Sequence, residues 1–248
     1  MRCKKCTSLN ILKSGDIRRL SWEELAVGYS FDFSVIFAAW PQLLYGCWLT
    51  LVISAKAMAM GFAIGLICVV VRRTGVGPLV WLVKAFIEII RNTPFPVQAF
   101  FIYLGLPTIG IRLSPDTAAV IALGLNGGAY AAEIIRGGVE SVQRGQIEAG
   151  RALGLNGFQV FRYIILRPAL RVSFPALASQ FILLMLTSSV VASISATELA
   201  SIGQQLESTT FRSFEVYLTL TALYLGMSAT LTAIFATTER VFFSYPTR

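Results

Sequence analysis

The stretch from Gln146 to Pro168 reads QIEAGRALGLNGFQVFRYIILRP. It is charged and partly polar, and long apolar segments lie on both sides of it. Its first part predicts a short helix that carries Glu148 and Arg151 on one face, because residues three apart are neighbours on a helix surface. Gly154 follows at the position where a helix commonly ends in a left-handed glycine.

The rest of this segment predicts a second helix. Asn156 and Gln159 have the spacing of a capping box, in which the side chain of each residue bonds the backbone of the other. Arg167 precedes Pro168, and the residue before a proline disfavours helical backbone, so the second helix is expected to end there. Helix, glycine turn and helix predict either an ordinary loop or an element that holds something on the water side of a membrane.

The composition indicates an integral membrane protein. Of the 248 residues, 55% are hydrophobic and 14% are charged, whereas about a quarter of the residues of a soluble domain are charged. The mean hydropathy is +0.68. The net charge of +8 does not predict nucleic-acid binding, because the basic residues cluster at the ends of apolar runs, as membrane orientation requires.

Five apolar segments predict five transmembrane helices in an all-α protein, since a span needs about twenty apolar residues. A basic N-terminal segment, residues 1–30, precedes the membrane domain of residues 31–243, and a short tail of residues 244–248 follows it. Ser21 and Glu24 could bound an interfacial helix in the N-terminal segment. The five apolar segments are 43–71, the uncharged run from Asn92 to Ile111, 117–132, 172–197 and 216–238.

The loop charges predict that segment 133–171 is cytoplasmic. It holds six basic and three acidic residues, and segment 72–91 is also basic, whereas the alternate loops contribute only Arg112 and Arg212. Basic loops remain in the cytoplasm, so the N-terminus is expected outside and the C-terminus inside. The six basic residues that precede the first span argue against this orientation.

The sequence offers no residues that support an enzyme or a metal-site function. Histidine is absent, which removes the commonest metal ligand and general base. Cys3 and Cys6 have metal-type spacing without a second pair, so no metal site is expected. No GxxxxGK(S/T) motif occurs, so the chain has no P-loop for ATP. Neither an enzyme nor a bound cofactor is therefore expected.

In the first apolar segment, the lysine and two of the glycines have separate implications. Lys56 is costly inside a membrane, so it marks either a transport role or a side chain that snorkels to the interface. Gly61 and Gly65 predict a helix face for close contact with another helix.

Residues 148–166 resemble the EAA loop of ABC importer permeases. In that family the loop forms a coupling helix that docks into a groove of the ATP-binding subunit. There are two departures: Gly150 replaces an alanine, and the proline expected after Leu166 is displaced to Pro168. The matching residues are Glu148, Ala149, Gly150, Gly154, Ile164 and Leu166.

Two further stretches resemble the polar amino acid branch of these permeases, and the resemblance covers residues 31–243. Arg91 to Pro107, RNTPFPVQAFFIYLGLP, is similar to its RNTP…VQ…FFIYFGLP signature, and Tyr130 to Gly138 is similar to its AYxAEixRGG run. Gln143 stands where a proline is usual. Leu186 and Thr187 stand where relatives have Lys-Asp, so the specificity of relatives does not carry over.

The resemblance implies a permease subunit of an ATP-driven amino acid importer in the bacterial inner membrane. It implies a second permease, identical or different, together with ATPase subunits that bind the ATP and an extracytoplasmic substrate-binding protein. A solvated ion pair is the alternative role for Glu148 and Arg151. The candidate coupling residues are Gln146, Glu148, Arg151, Leu153 and Gly154.

Polar residues in or beside the apolar segments are candidates for the substrate path, because polar groups in lipid need partners. Hydrogen bonding between helices meets the same need, so both interpretations stay open. Glu133 could attract a cationic group or pair with Arg136. The candidates are Asn92, Thr93, Gln98, Asn126, Tyr130, Glu133, Ser188 and Ser189.

The alternative from another class is a secondary transporter or channel that needs no ATPase. It predicts inverted repeats or an ionisable relay within the spans, and no convincing repeat is evident. A membrane scaffold without transport would leave the polar loop without a purpose. Contact between residues 146–168 and another protein would discriminate between these classes.

Overall fold

The computed structural model of the protein describes residues 30–243. The interfacial helix predicted at Ser21 to Glu24, the Cys3 and Cys6 pair and the C-terminal tail lie outside the described residues. From Ser34 onward the chain forms one compact unit, which is all-helical over the described residues. Its helices are α1 (Ser34–Ala38), α2 (Trp40–Thr74), α3 (Gly77–Arg91), α4 (Phe95–Ile109), α5 (Pro115–Glu140), α6 (Arg144–Ala152), α7 (Gly157–Ile194), α8 (Leu199–Thr210) and α9 (Ser213–Phe243).

Helices α2, α5, α7 and α9 are long and apolar enough to cross a membrane. They match four of the five predicted spans. The span predicted from Asn92 to Ile111 is the shorter helix α4, which consists of six α-helical residues, a five-residue π-helix and a four-residue 3-10 helix. The fifth crossing therefore stays a prediction.

The second loop helix does not end at Pro168, so that prediction was wrong. It runs on as α7 to Ile194, and a π-helix over Val160–Ile165 lies almost directly before the proline. A π-turn carries one extra residue, which displaces the carbonyl groups that the proline ring would otherwise meet. The fourth span, predicted to begin at residue 172, is the continuation of this helix.

Helices α2 and α5 approach most closely where small residues face each other, as predicted for Gly61 and Gly65. A Cβ atom added at Gly61 would lie 2.9 Å from the amide nitrogen of Gly128, and one added at Gly65 would lie 2.9 Å from Cβ of Ala131. Such contacts let two backbones approach closely, which is how helices associate in lipid. The buried small residues of α5 include Ala118, Ala119, Ala122, Gly124, Gly127, Gly128, Ala129, Ala131 and Ala132.

The two ends of α2 contact different parts of the molecule. At its start, α8 packs against α2 and α9. At its end, Arg72 pairs with Glu133 of α5, which leads into α6. Thr50 and Arg72 are about 33 Å apart along α2, which matches the hydrocarbon core of a bilayer at about 30 Å. Helices α8 and α6 therefore lie at opposite ends of the spans. The core around α8 consists of Ile36, Leu43, Leu199, Val216 and Leu220.

Replacement of Gly61 by alanine is expected to lower the melting temperature of the detergent-solubilised protein. The new Cβ would meet the backbone of α5, which cannot rotate away, and overpacking costs about 1–3 kcal/mol. Gly226→Ala is the matched control, because nothing lies within 4 Å of a Cβ at that position in α9 and alanine favours helix. An unchanged melting temperature for Gly61→Ala in scanning fluorimetry would contradict the close contact.

Candidate functional site

Helix α6 ends in a Schellman motif built on Gly154. The amide of Gly154 donates to the carbonyl of Arg151 at 3.0 Å, and the amide of Leu155 donates to the carbonyl of Gly150 at 3.1 Å. Gly154 has a φ of 79°, in the left-handed region that glycine adopts without strain. The glycine turn predicted at this position is confirmed, and it places Leu153 at the tip of the loop.

The start of α7 is fixed by the predicted capping box. The amide of Gln159 donates to Oδ1 of Asn156 at 2.9 Å, and the amide of Asn156 donates to Oε1 of Gln159 at 2.8 Å. Gly150 of α6 packs against this part of α7, since a Cβ at Gly150 would lie 2.2 Å from Cδ1 of Ile164. The glycine that replaces alanine in the resemblance therefore allows α6 to lie close to α7.

The outward face of α6 and of the turn is accessible to a partner. Gln146, Glu148 and Arg151 are exposed, and Leu153 is 82% exposed. Glu148 and Arg151 do not form the solvated ion pair that was the alternative, because among the described residues neither makes a salt bridge. Phe158, which the sequence reasoning missed, is 75% exposed. The sequence signal that could have identified Phe158 is its position, since it is an apolar residue in a polar loop, directly after the cap residue Asn156 and Gly157.

Three polar candidates form one hydrogen-bonded chain at the break between α3 and α4. Gln98 donates from Nε2 to Oγ1 of Thr93 and to the carbonyl of Ile90, both at 2.7 Å. Its Oε1 accepts from Nδ2 of Asn126 at 3.1 Å. Asn92 caps α3 by donating from its side chain to the carbonyl of Glu88. The side chain of Gln98 thus joins the broken entry of α4 to the middle of α5.

Tyr130 lies one helical turn further along α5 from Asn126. The guanidinium carbon of Arg91 lies 5.3 Å from the centre of the Tyr130 ring, within the range of a cation–π interaction. The sequence reasoning did not select Arg91, although it is the first residue of the RNTP stretch.

Glu133 forms salt bridges with two arginines. Its Oε1 accepts from Arg72 at 2.5 Å and its Oε2 from Arg136 at 2.7 Å, and Arg136 also pairs with Glu140. The alternative predicted for Glu133, pairing with Arg136, is therefore present, and Arg72 is an additional partner. A carboxylate that holds two guanidinium groups is less available to a cationic substrate.

The remaining polar candidates lie apart from the Gln98 chain. The hydroxyls of Ser188 and Ser189 donate to carbonyls of their own helix, those of Met185 and Leu186. Lys56 is exposed on α2 and has no ionic partner among residues 30–243. It lies about 24 Å along the helix from Arg72, near the far edge of a hydrocarbon core that starts at Arg72, which favours snorkelling over a transport role.

The sequence reasoning also missed a buried carboxylate. Glu198, in the connection between α7 and α8, is fully buried and caps α8 through the amide of Ser201 at 2.9 Å. Burial raises the pKa of this carboxyl, while hydrogen bonds from Tyr224 and from the backbone partly lower it. The only sequence signal for Glu198 was that a charged residue precedes Leu199 in an otherwise apolar stretch. No neighbouring residue indicated its distant hydrogen-bond partners.

A set of apolar helices with a structured polar loop at one end defines a multi-pass membrane protein. Comparison with known proteins specifies the class. The profile described as "Binding-protein-dependent transport system inner membrane component" matches residues 61–240, and the chain belongs to this family. It is a transport permease of ABC-importer type and not an enzyme, and the secondary-transporter alternative is not favoured.

Individual relatives agree with this assignment. The chain is 40% identical over 212 residues to the glutamine transport system permease protein GlnP of Escherichia coli (strain K12), covering 85% of this chain and 97% of that protein. It is 34% identical over 204 residues to the nopaline transport system permease protein NocM of Agrobacterium fabrum (strain C58 / ATCC 33970), covering 78% of this chain and 85% of that protein.

Two solved structures are similar in fold. An amino acid ABC transporter with histidines superposes with a TM-score of 0.81 at 33% identity, over 86% of this chain and 99% of that chain. The MetNI methionine ABC transporter, in inward-facing conformations, has a TM-score of 0.69 at 24% identity, over 82% of this chain and 96% of that chain. The family implies an ATPase partner, a substrate-binding protein and a bacterial inner-membrane location.

Replacement of Gly154 by alanine is expected to destabilise the end of α6 by about 1–2 kcal/mol, because φ stays positive there. Hydrogen exchange of the α6 amides should accelerate. Gly157→Ala is the matched control: neither glycine has an atom within 4 Å of an added Cβ, but only Gly154 has a positive φ. Equal exchange rates in the two variants would show that the turn tolerates other backbone conformations.

Proposed function

We propose that this chain lines the translocation path of an ATP-driven importer of polar amino acids and that residues 146–168 dock on a separate ATPase subunit. The observation that carries the docking is the exposure of Leu153 and Phe158 beside Glu148 and Arg151. Exposed apolar side chains next to charges that form no salt bridge within residues 30–243 suit a protein interface. The names of the relatives, which refer to glutamine and nopaline, support the substrate class.

Each coupling residue has a role in this proposal. Leu153 enters an apolar pocket of the ATPase, and Gly154 supplies the turn that presents it. Glu148 and Arg151 pair with opposite charges of the partner, and Gln146 contributes a polar contact in the first turn of α6. The support for these roles is that the side chains of all but the glycine are exposed on one short helix and its turn.

The packing of the loop suggests how its motion reaches the spans. Helix α6 contacts the start of α7 through Gly150, so the two move together. Ser173 of α7 donates to the carbonyl of Ile134 in α5 at 3.3 Å, and a Cβ at Gly138 would lie 1.9 Å from Oγ of Ser173. When the ATPases close, displacement of α6 is therefore passed to both α7 and α5.

The substrate path in this proposal runs past the break between α3 and α4. Thr93, Gln98 and Asn126 offer amide and hydroxyl groups that can exchange their mutual hydrogen bonds for bonds to a polar amino acid, and Asn92 and Tyr130 flank them. Ser188 and Ser189 line the path further along α7, where their hydroxyls can also turn to substrate. For Glu133 we propose the pairing role with Arg72 and Arg136.

The assembly consists of this permease with an identical or a second permease, the ATPases and an extracytoplasmic substrate-binding protein. The N-terminus lies outside and the C-terminus in the cytoplasm, with α4 as the fifth crossing. The basic residues near α6 support this orientation. The permease domain covers residues 31–243.

Charge reversal at Glu148 is expected to uncouple transport from ATP hydrolysis. The permease is purified with its ATPase and binding protein, reconstituted in proteoliposomes, and assayed for substrate-stimulated hydrolysis. Glu148→Arg should lower stimulation about tenfold, as loss of an interface hot spot does. Lys84→Glu, an exposed reversal on α3, is the control. Transport driven by an ion gradient without an associated ATPase would refute the proposal.

Replacement of Gln98 by leucine is expected to reduce amino acid uptake, because it removes the polar groups between Thr93 and Asn126. Uptake of a radiolabelled polar amino acid that the wild-type complex transports is measured at saturating binding protein, with stimulated hydrolysis followed in parallel. Thr108→Val is the matched control on α4, since within the described part of the chain its hydroxyl bonds only the carbonyl of Gly105 in the same helix. If Gln98→Leu transports at the wild-type rate, the path does not depend on this chain of polar groups.

A further inference from the structure

Hydrogen bonds attach the connection between α7 and α8 to three other helices. The amide of Thr197 donates to Oδ1 of Asp116, at the start of α5, at 2.8 Å. The amide of Leu199 donates to Oγ1 of Thr50 in α2 at 3.1 Å. The carboxylate of Glu198 makes the third attachment. The segment is thus held by specific polar contacts at the end of the spans opposite α6.

The Glu198 carboxylate accepts hydrogen bonds from residues of three helices. Its Oε2 accepts from the hydroxyl of Tyr224 in α9 at 2.6 Å and from the hydroxyl of Thr50 in α2 at 3.2 Å. Its Oε1 accepts from the amide of Ser201 in α8 at 2.9 Å. A buried carboxylate is costly unless such bonds compensate for it. Because hydrogen bonds require particular distances and directions, this contact favours one relative position of the helices.

Helix α8 itself is placed to receive a partner. Its inner side is buried, and a Cβ at Gly203 would lie 2.4 Å from Cδ1 of Leu220 in α9, so α8 cannot slide freely on α9. Its outer side is polar, with Gln204, Gln205 and Ser208 exposed and Glu207 partly exposed. With α6 on the cytoplasmic side, α8 lies on the side of the substrate-binding protein.

We infer that Glu198 is a positioning residue that locks α8 to α2 and α9, so that docking of the substrate-loaded binding protein at this end displaces both spans together. The inference rests on the proposed function and deepens it, since it names the residue through which the extracytoplasmic partner acts. Without the Glu198 contacts, α8 would still pack on α9 through Gly203, but less of its displacement would be passed on to α2 and α9.

The test separates stimulated from basal ATP hydrolysis in the complete complex. Permease, ATPase and binding protein are reconstituted, and hydrolysis is measured without and with substrate-loaded binding protein. Tyr224→Phe is expected to lower the ratio of stimulated to basal activity about three- to tenfold, the equivalent of one hydrogen bond, with basal activity unchanged. Tyr217→Phe is the matched control on α9, because the Tyr217 side chain is exposed and its hydroxyl has no hydrogen-bond partner within residues 30–243.

A graded series at Glu198 completes the test. Glu198→Gln should retain more stimulation than Glu198→Ala, because its amide oxygen still accepts from Tyr224. The inference is overturned if Tyr224→Phe keeps the wild-type ratio, or if basal and stimulated activities fall together with the yield of complex, which would indicate a purely structural role. If the wild-type permease recruits no ATPase, the proposed function fails first and this inference fails with it.

Discussion

The contact between α2 and α5 requires glycine, and the arrangement of the other helices depends on it. Where Gly61 faces Gly128, the backbones approach so closely that a single added methyl group would meet main-chain atoms. In lipid there is no hydrophobic drive to hold two helices together, so dispersion between close backbones has to supply the attraction. Because α2 and α5 each extend from one side of the bilayer to the other, this contact fixes the positions of Arg72 and Glu133 at one end and of Thr50 and Asp116 at the other.

A second constraint is that polar groups within the bundle must be satisfied from inside it. The structure meets this need in two ways. Ser188 and most other helical hydroxyls return to a carbonyl of their own helix, which leaves helix packing unchanged. Gln98 and Glu198 instead bond to residues of other helices. Only the second kind of contact links elements whose relative position can change, and for this reason these two residues carry the proposals on the substrate path and on coupling.

Features set by local sequence were predictable, and features set by distant packing were not. Apolar length alone located α2, α5 and α9, and the spacing of Gly154, Asn156 and Gln159 gave the loop geometry. The prediction that a helix ends at Pro168 was wrong, because the effect of this proline depends on the π-turn before it. A π-turn has no amino-acid composition that distinguishes it from an α-helix. Glu198 was overlooked as a site residue because its partners Thr50 and Tyr224 are 148 and 26 residues away, so no spacing connects them.

The two ends of the molecule are linked to the same pair of helices, α2 and α5. In the proposed coupling, displacement of α6 reaches α5 through the contact of Ser173 with Ile134, and displacement of α8 reaches α2 through Thr50. Since Gly61 and Gly65 bring the backbones of α2 and α5 into close approach, a shift of one of these helices is expected to move the other. In the proposed coupling, a signal from either side of the membrane reaches the α2–α5 pair. Helix α9 is largely exposed along its length. It is attached at the Glu198 end by Tyr224 and further along by Phe235, whose ring packs edge-on against Phe174 and Phe181 of α7. Helix α9 is thus joined to α7, which follows α6, and to α8, which follows Glu198, so in the proposed coupling it would respond to displacement at either end.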